Sequence, residues 1–180
     1  MRKKLTVPCA AILLAVLLTI SASAAAPRFE DVPADAPYAE STQYLADRGI
    51  VNGTDSRLFE PNAPVTPRQW AVMLCRAYSV ETDGTTWAEL GQSAVRQTFQ
   101  KRWLEAAALT APDTRMCRGM LYKSAFAAAG VTVYDNTLYG GEPLSDYENC
   151  LRTAKELHLC GDDADPLEPV TRGEAAQVLH

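Results

Sequence analysis

The sequence has little of what metal binding, hydrolysis or nucleic-acid binding requires. Its 180 residues include only two histidines, and neither a His-Glu-x-x-His nor a Gly-x-Ser-x-Gly motif occurs. The five cysteines fit no zinc-ligand spacing. The formal net charge of −5 gives the chain no general attraction for nucleic acid or anionic lipid. We therefore expect no catalytic residues, no metal, no cofactor and no nucleic-acid partner.

The first 24 residues are predicted to form a signal peptide that is cleaved. A basic segment at Arg2–Lys4 precedes an uncharged apolar run at Ala10–Ile20, and Ala22–Ala24 supplies the small-x-small cleavage pattern. The apolar run is too short for a comfortable membrane span, and no later segment approaches its length. Loss of three basic residues takes the formal charge from −5 to −8. The mature protein is expected to be exported, with no membrane span.

Four cysteines remain after cleavage, and two interpretations of them are open. An even number in an exported chain permits two disulfides, with three possible connectivities. Alternatively, free thiols pack as small hydrophobic groups, and Cys75 lies on the apolar stripe of a predicted helix. The four are Cys75, Cys117, Cys150 and Cys160.

Three short segments, 65–71, 116–122 and 170–176, begin a helix in the same way. Cys117 follows Thr66 by 51 positions, and Thr171 follows Cys117 by 54. So constant a period indicates one structural unit used three times.

Each unit is predicted to be a helix, a loop and a second helix, and the units cover 29–80, 87–133 and 144–180. In the first unit, Gly49 is predicted to end the first helix in a left-handed conformation. The middle unit is the most degenerate, with a longer first helix predicted within 93–109. The third unit is short or truncated. Strand signals are weak throughout, so the predicted fold class is all-α.

The first unit resembles the S-layer homology repeat, and the resemblance is strongest there. Many members of that family open the second helix with a Thr-Arg-Ala-Glu box, to which residues 171–174 of the third unit come close. The resemblance implies a spindle of three repeats around a pseudo-threefold helical core. The residues that carry it in the first unit are Phe29, Asp31-Val32-Pro33, Tyr38, Leu45-Ala46, Gly49-Ile50-Val51, Gly53, Phe59, Pro61 and Val65-Thr66.

The resemblance also implies a function, which is non-covalent binding to a pyruvylated secondary polysaccharide attached to peptidoglycan. The protein would then lie in the cell wall or S-layer of a Gram-positive-type bacterium, with other S-layer proteins as further candidate partners. The ligand would occupy grooves between repeats and contact the boxed arginine. The candidate ligand-binding residues are Arg172, Arg118, Arg68, Thr171, Glu174, Asp31 and Gly53.

Two alternatives to wall anchoring remain open. One is a structural protein of the S-layer lattice that binds no polymer. The other is a cell-wall hydrolase, which is disfavoured because the repeats occupy nearly the whole mature chain and leave no room for a catalytic domain.

The box residues divide into two kinds. Thr171 and Glu174 fit a capping box, as do Thr66 and Gln69, and a cap alone is worth about 1 kcal/mol. Arg172 has no such explanation, because a cation in the first helical turn opposes the macrodipole. An anion there would gain free backbone N–H groups and a two-pronged guanidinium contact. The alternative is a solvated arginine paired with a nearby acid.

The three copies are not equivalent, so we expect one competent groove, or two at most. Pro67 takes the first helical position and moves the arginine to Arg68, which turns its side chain by about 100°. Arg118 is in register, but Cys117 cannot form a capping box. Trp87 is expected to lie in the core. The alternative is a position at the mouth of a groove, where it would stack on a sugar ring.

Replacing Arg172 by alanine is expected to abolish pull-down with cell walls and to leave the helical circular dichroism unchanged. Undiminished binding would rule out the assignment of this arginine to the ligand site.

Overall fold

The computed structural model describes residues 28–55 and 57–180, and this part of the chain is all-α, as predicted. It contains a 3-10 turn at Asn136–Tyr139 and two isolated β-bridges, but no strand. None of its helices is long and apolar enough to cross a membrane. The predicted signal peptide lies outside the described residues. The helices are α1 Ala39–Asp47, α2 Pro67–Ala77, α3 Trp87–Gln100, α4 Ala106–Thr110, α5 Arg118–Ala129, α6 Asp146–Glu156 and α7 Arg172–Leu179.

The predicted capping boxes are both present. Thr66 accepts the backbone N–H of Gln69 at the start of α2, and Thr171 accepts that of Glu174 at the start of α7. In each box the longer side chain also accepts the N–H of the N-cap residue. Cys117 gives α5 no side-chain cap, as the sequence indicates. The capping boxes therefore account for the residues at which α2 and α7 begin.

The single long helix predicted within 93–109 is wrong, because this region holds two helices. α3 begins earlier, at Trp87, and ends at Gln100, and the short α4 follows it. Arg102 has a left-handed φ of 60°, which a right-handed helix cannot continue. The N–H groups of Trp103 and Leu104 both turn back to the carbonyl of Thr98 and close the end of α3. The predicted stop at Gly49, with a φ of 68°, is confirmed.

Helices pack in pairs that join one unit to another. α2 packs against α3, α5 against α6, and α7 against α1. The second helix of each unit thus packs on the first helix of the next, and the last unit returns to the first. Most buried apolar side chains form one continuous core, to which Trp70, Leu74, Met116 and Leu121 belong. The pseudo-threefold arrangement itself stays a prediction.

Three buried residues directly before the repeated helix starts close a ring of backbone hydrogen bonds. The N–H of Val65 donates to the carbonyl of Val170 at 3.0 Å, that of Val170 to Met116 at 3.1 Å, and that of Met116 to Val65 at 3.0 Å. Buried backbone groups need such partners. The ring supplies them from three units and fixes the three helix starts around one point.

The free N–H groups at these helix starts are also used inside the protein. In α7 the first two N–H groups donate to the carbonyls of Ala63 and Pro61, at 2.9 and 2.8 Å. In α5 the first two N–H groups donate to the backbone carbonyls of Glu168 and Pro166, at 2.9 and 2.7 Å. The expectation that a bound anion would gain free N–H groups at α7 is therefore wrong for these two positions. Any anion here has to be held by side chains.

Replacing Gly173 by alanine is expected to destabilise the protein by about 1–3 kcal/mol, the usual cost of overpacking. An added Cβ would lie 2.8 Å from Cδ1 of Tyr38 and 3.2 Å from the carbonyl oxygen of Pro61. Thermal unfolding measures the effect. Gly161→Ala is the control, because its Cβ would meet only the carboxylate of Asp163, at 2.8 Å, and that side chain can move. Equal melting temperatures for the two variants would contradict the prediction.

Candidate functional site

Three grooves lie between units, and each contains one of the candidate arginines. We name them by that residue. The Arg172 groove has a volume of about 420 Å³ and is lined by the loop 50–54, one face of α2 and Trp87. The Arg118 groove, about 380 Å³, is lined by the loop 159–164 and α7. The Arg68 groove, about 360 Å³, lies along α3 and the end of α4.

The near-complete box of the third unit is divided between two grooves. Arg172 lines the groove formed with the first unit, whereas Glu174 lines the Arg118 groove. Two positions on a helix differ in direction by about 200°, so the two side chains leave α7 on opposite sides. Each of these grooves therefore combines the arginine of one unit with the third-position capping residue of another, Arg172 with Gln69 and Arg118 with Glu174.

Arg172 is buried, with 7% of the residue exposed. Its Nε donates to the carbonyl of Phe59 at 2.8 Å and its Nη2 to the carbonyl of Asn52 at 3.1 Å. The guanidinium carbon lies 4.7 Å from the centre of the Phe59 ring, a cation–π distance. Arg172 is thus neither solvated nor paired with an acid at ion-pair distance among the described residues. It holds the first unit's loop, a role that the sequence does not reveal.

The charge of Arg172 is incompletely compensated. Burial lowers the pKa of its guanidinium, and the more distant carboxylates of Glu60 and Asp31 act in the opposite direction without reversing the shift. A lowered arginine pKa means that the charged form is less well stabilised than in water. A further anion close to the guanidinium would relieve this.

A second arginine lines the same groove. Arg76, on α2, donates from Nη1 to the carbonyl of Ile50 at 3.4 Å, and burial lowers its pKa as well. With the amide of Asn52 oriented so that its oxygen faces this guanidinium, that oxygen accepts from Nη1 at 3.2 Å. The described lining of the Arg172 groove contains these two arginines and no carboxylate. The groove is therefore cationic.

Trp87 lies at this groove and not in the core. It is 54% exposed and belongs to the groove lining together with Val72 and Met73. The core position expected for Trp87 is wrong, and the groove position is the one observed. Trp87 is the first residue of α3, and residues 83–89 around it are all exposed.

The charge of Arg118 is neutralised by the protein itself. Its guanidinium forms ion pairs with Glu168 and with Glu174, the latter at 2.8 Å. Burial acts to lower its pKa, but the hydrogen bonds to these two carboxylates outweigh burial and raise it. Asp163 adds a third carboxylate to the lining. This groove is acidic despite its arginine.

Arg68 is also paired internally. Pro67 occupies the first helical position, where Arg172 stands in α7, and Arg68 binds both oxygens of Asp113 at 2.7 Å each. The bond to Asp113 raises its pKa. Its side chain crosses α3 at Gly91, where a Cβ would lie 2.6 Å from Cγ of Arg68. A glycine inside α3 thus makes room for the displaced arginine.

The remaining candidates shape the loop of the first unit. The two carboxylate oxygens of Asp31 accept the N–H groups of Phe59 and Glu60, at 2.8 and 2.6 Å. A Cβ on Gly53 would lie 2.3 Å from the carbonyl oxygen of Asp55, so the close approach requires glycine. Gly53 lines the Arg172 groove, and Thr171 serves as the α7 cap.

The four described cysteines are all free thiols, so the two-disulfide alternative does not describe this structure. Cys75 is buried, as the packing alternative predicts, and burial raises its pKa to about 11. In the part of the chain that the structure describes, no group of three or more histidine, cysteine, aspartate or glutamate residues could hold a metal ion.

Comparison with known proteins agrees with the resemblance drawn from the first unit. The family model described as S-layer homology domain matches residues 28–66. The S-layer protein sap of Bacillus anthracis is 25% identical over 179 residues, an alignment that covers 87% of this chain and 21% of that protein. An S-layer protein of Bacillus thuringiensis subsp. finitimus is 36% identical over 61 residues, or 34% of this chain and 8% of that protein.

The predicted resemblance is confirmed for residues 28–66, which match the S-layer homology domain, and the two S-layer relatives agree with it. The matched segment 28–66 includes the loop of the Arg172 groove. The chain spans about a fifth of the length of the first relative and less than a tenth of the second.

Replacing Glu174 by glutamine is expected to remove part of the protein's acid sensitivity. Burial acts to raise the pKa of Glu174, but hydrogen bonds from the Thr171 backbone and from Arg118 outweigh it and hold the pKa below its ordinary value of 4.5. A depressed carboxylate pKa stabilises the fold above the ordinary value, and this stabilisation is lost as the pH falls through the folded-state value. Glutamine keeps the cap, as Gln69 does in α2, but cannot titrate.

Urea unfolding of both proteins at neutral pH and below pH 4 provides the measurement. The wild type should lose more stability on acidification than Glu174→Gln, by less than about 1 kcal/mol because solvent screens a side chain this exposed. Identical pH dependence in the two proteins would contradict the role assigned to the Arg118–Glu174 pair.

Proposed function

We propose that this chain is a non-covalent cell-wall anchoring module whose Arg172 groove binds an anionic group of a secondary cell-wall polysaccharide. The carboxylate of a pyruvyl ketal is the group that we infer. The observation that carries the proposal is the lining of this groove, which among the described residues holds Arg172 and Arg76 but no carboxylate. The S-layer relatives support a role at the cell surface.

The three arginines differ in what an incoming anion would have to displace. In the Arg118 and Arg68 grooves it would compete with Glu168, Glu174 or Asp113, which already occupy the guanidinium. In the Arg172 groove no internal carboxylate stands at ion-pair distance in the described chain. Arg172 is already desolvated and fixed by two carbonyls, so binding there orders little that is not already ordered. We infer one binding groove per chain.

The rest of the lining suits a sugar. Trp87 offers an exposed aromatic face that matches the C–H face of a pyranose ring, and the buried side chains of Val72 and Met73 make the groove floor apolar. Asn52, Thr54 and Gln69 supply neutral hydrogen-bonding groups for hydroxyls. A mainly apolar wall with a few placed polar groups is typical of small-ligand sites.

The relatives point to a structural or anchoring protein, and we extend this to propose that the chain has no enzymatic activity. A lattice protein without polymer binding is the competing proposal. A wall-binding assay separates the two proposals. A lattice protein of this kind would not bind the polysaccharide, so replacing Arg172 or Arg76 would leave its retention on cell walls unchanged.

Replacing Arg76 by glutamine is expected to weaken binding to cell walls by about tenfold or more while leaving the melting temperature close to that of the wild type. A hydrogen bond to a charged group is worth about 1.5–3 kcal/mol, and 1.4 kcal/mol corresponds to a tenfold change in affinity. Co-sedimentation with purified cell walls, with and without their secondary polysaccharide, measures the effect. Arg76→Gln is a cleaner test than Arg172→Ala, which also removes the bonds to Phe59 and Asn52.

Arg48→Ala is the charge-matched control, because Arg48 lies at the end of α1 over the Tyr44 ring, outside the groove lining. It should bind walls like the wild type. Wild-type binding by Arg76→Gln, or equal binding to walls stripped of the polysaccharide, would refute the proposal.

A further inference from the structure

We propose that Asn52 is a deamidation site formed by the loop 50–54 and two arginines, and that its conversion to aspartate turns off the Arg172 groove. The chemical step stands by itself. Its effect on binding rests on the proposed function.

Asn52 is the only asparagine in the chain that is followed by glycine. Asn62, Asn136 and Asn149 are followed by alanine, threonine and cysteine. Glycine has no Cβ to shield its backbone nitrogen and restricts the backbone least. Asn52 is also exposed and lies in a loop outside any helix. The backbone nitrogen of Gly53, which would attack the side chain of Asn52, is therefore less shielded than the nitrogen that follows any other asparagine.

The reaction needs only water. The backbone nitrogen of Gly53 loses its proton to solvent base and attacks Cγ of Asn52. A bond forms between these two atoms, the bond from Cγ to the side-chain nitrogen breaks, and ammonia leaves with a proton from solvent. Water then opens the five-membered succinimide at one of its two carbonyls and yields aspartate or isoaspartate.

Arg172 favours the first part of this step. Its Nη2 donates to the backbone carbonyl of Asn52 at 3.1 Å, and that carbonyl belongs to the same peptide group as the N–H of Gly53. When the nitrogen is deprotonated, the negative charge is shared with the carbonyl oxygen. A fixed cationic donor at that oxygen stabilises the developing charge, so the nucleophile forms more readily.

Arg76 favours the second part. With the amide oxygen of Asn52 facing Arg76, the oxygen lies 3.2 Å from Nη1, and the amide nitrogen donates to the carbonyl of Val51 at 3.0 Å. This oxygen becomes the oxyanion when Cγ is attacked, and a positioned guanidinium stabilises it. Both charges that develop during the reaction thus have an arginine beside them.

Either product changes the groove. Aspartate would place a carboxylate beside Arg76, as Glu168 and Glu174 stand beside Arg118. Isoaspartate would do the same and would add a methylene to the main chain, where a Cβ on Gly53 already meets the carbonyl oxygens of Asp55 and Leu58 at 2.3 and 2.4 Å. An internal anion would then occupy the position that the ligand carboxylate needs.

The chemical step is tested by incubating the full chain at slightly alkaline pH and following amide loss by mass spectrometry. Trypsin releases residues 49–57, whose only asparagine is Asn52, and the other asparagines serve as internal references. We expect amide loss at Asn52 to be about tenfold faster in the folded wild type than in Arg76→Gln or in urea-unfolded wild type, a factor that corresponds to about 1.4 kcal/mol of barrier. The proposal is overturned if the rate of amide loss in the folded wild type is no higher than in Arg76→Gln or no higher than in the urea-unfolded wild type.

The effect on the groove is tested with Asn52→Asp and Asn52→Gln in the cell-wall co-sedimentation assay. Asn52→Asp should bind about tenfold more weakly than Asn52→Gln, because both variants change the lining side chain but only aspartate adds a negative charge. Binding by Asn52→Asp equal to that by Asn52→Gln overturns the switch. A wild type that binds no walls refutes the proposed function, and the mass-spectrometric result then still decides whether Asn52 is the deamidation site.

Discussion

The exchange of backbone hydrogen bonds among Val65, Met116 and Val170 is the constraint on which the rest of the structure depends. Each of these buried amides is satisfied by another unit, so no unit is complete by itself. The ring fixes where α2, α5 and α7 begin. The residue two positions later is an arginine in α5 and α7, and the ring directs its side chain at the loop of another unit. The grooves are therefore a consequence of how the helix starts meet.

Features that depend on a few neighbouring residues could be predicted from the sequence, and features that join distant units could not. The capping boxes and the stop at Gly49 are local, and both were predicted correctly. The partners of Arg172 lie 113 and 120 positions away, and no local pattern identifies them. The box of residues 171–174 is divided between two grooves because α7 packs between two units. The sequence alone shows the box as one continuous motif and therefore suggests one site.

The third position of the capping box has two effects that the sequence does not separate. Glutamine and glutamate both complete the capping box here. Only glutamate also carries a charge to the arginine of another unit, as Glu174 does to Arg118. Gln69 leaves Arg172 without such a partner. This difference contributes to the contrast between the cationic groove and the acidic one, to which Glu168 and Asp163 also add.

The burial of Arg172 favours a ligand over a purely structural role. A guanidinium taken out of water without an ion pair is costly, and hydrogen bonds to two carbonyls and a contact with the Phe59 ring offset only part of that cost. Burial lowers the pKa of its guanidinium, which agrees in direction with such a cost. Arg118 and Arg68 show that this chain readily supplies carboxylates to its arginines. A ligand that binds only the folded state stabilises it. An external anion bound at Arg172 would therefore supply the negative charge that the fold itself does not place there.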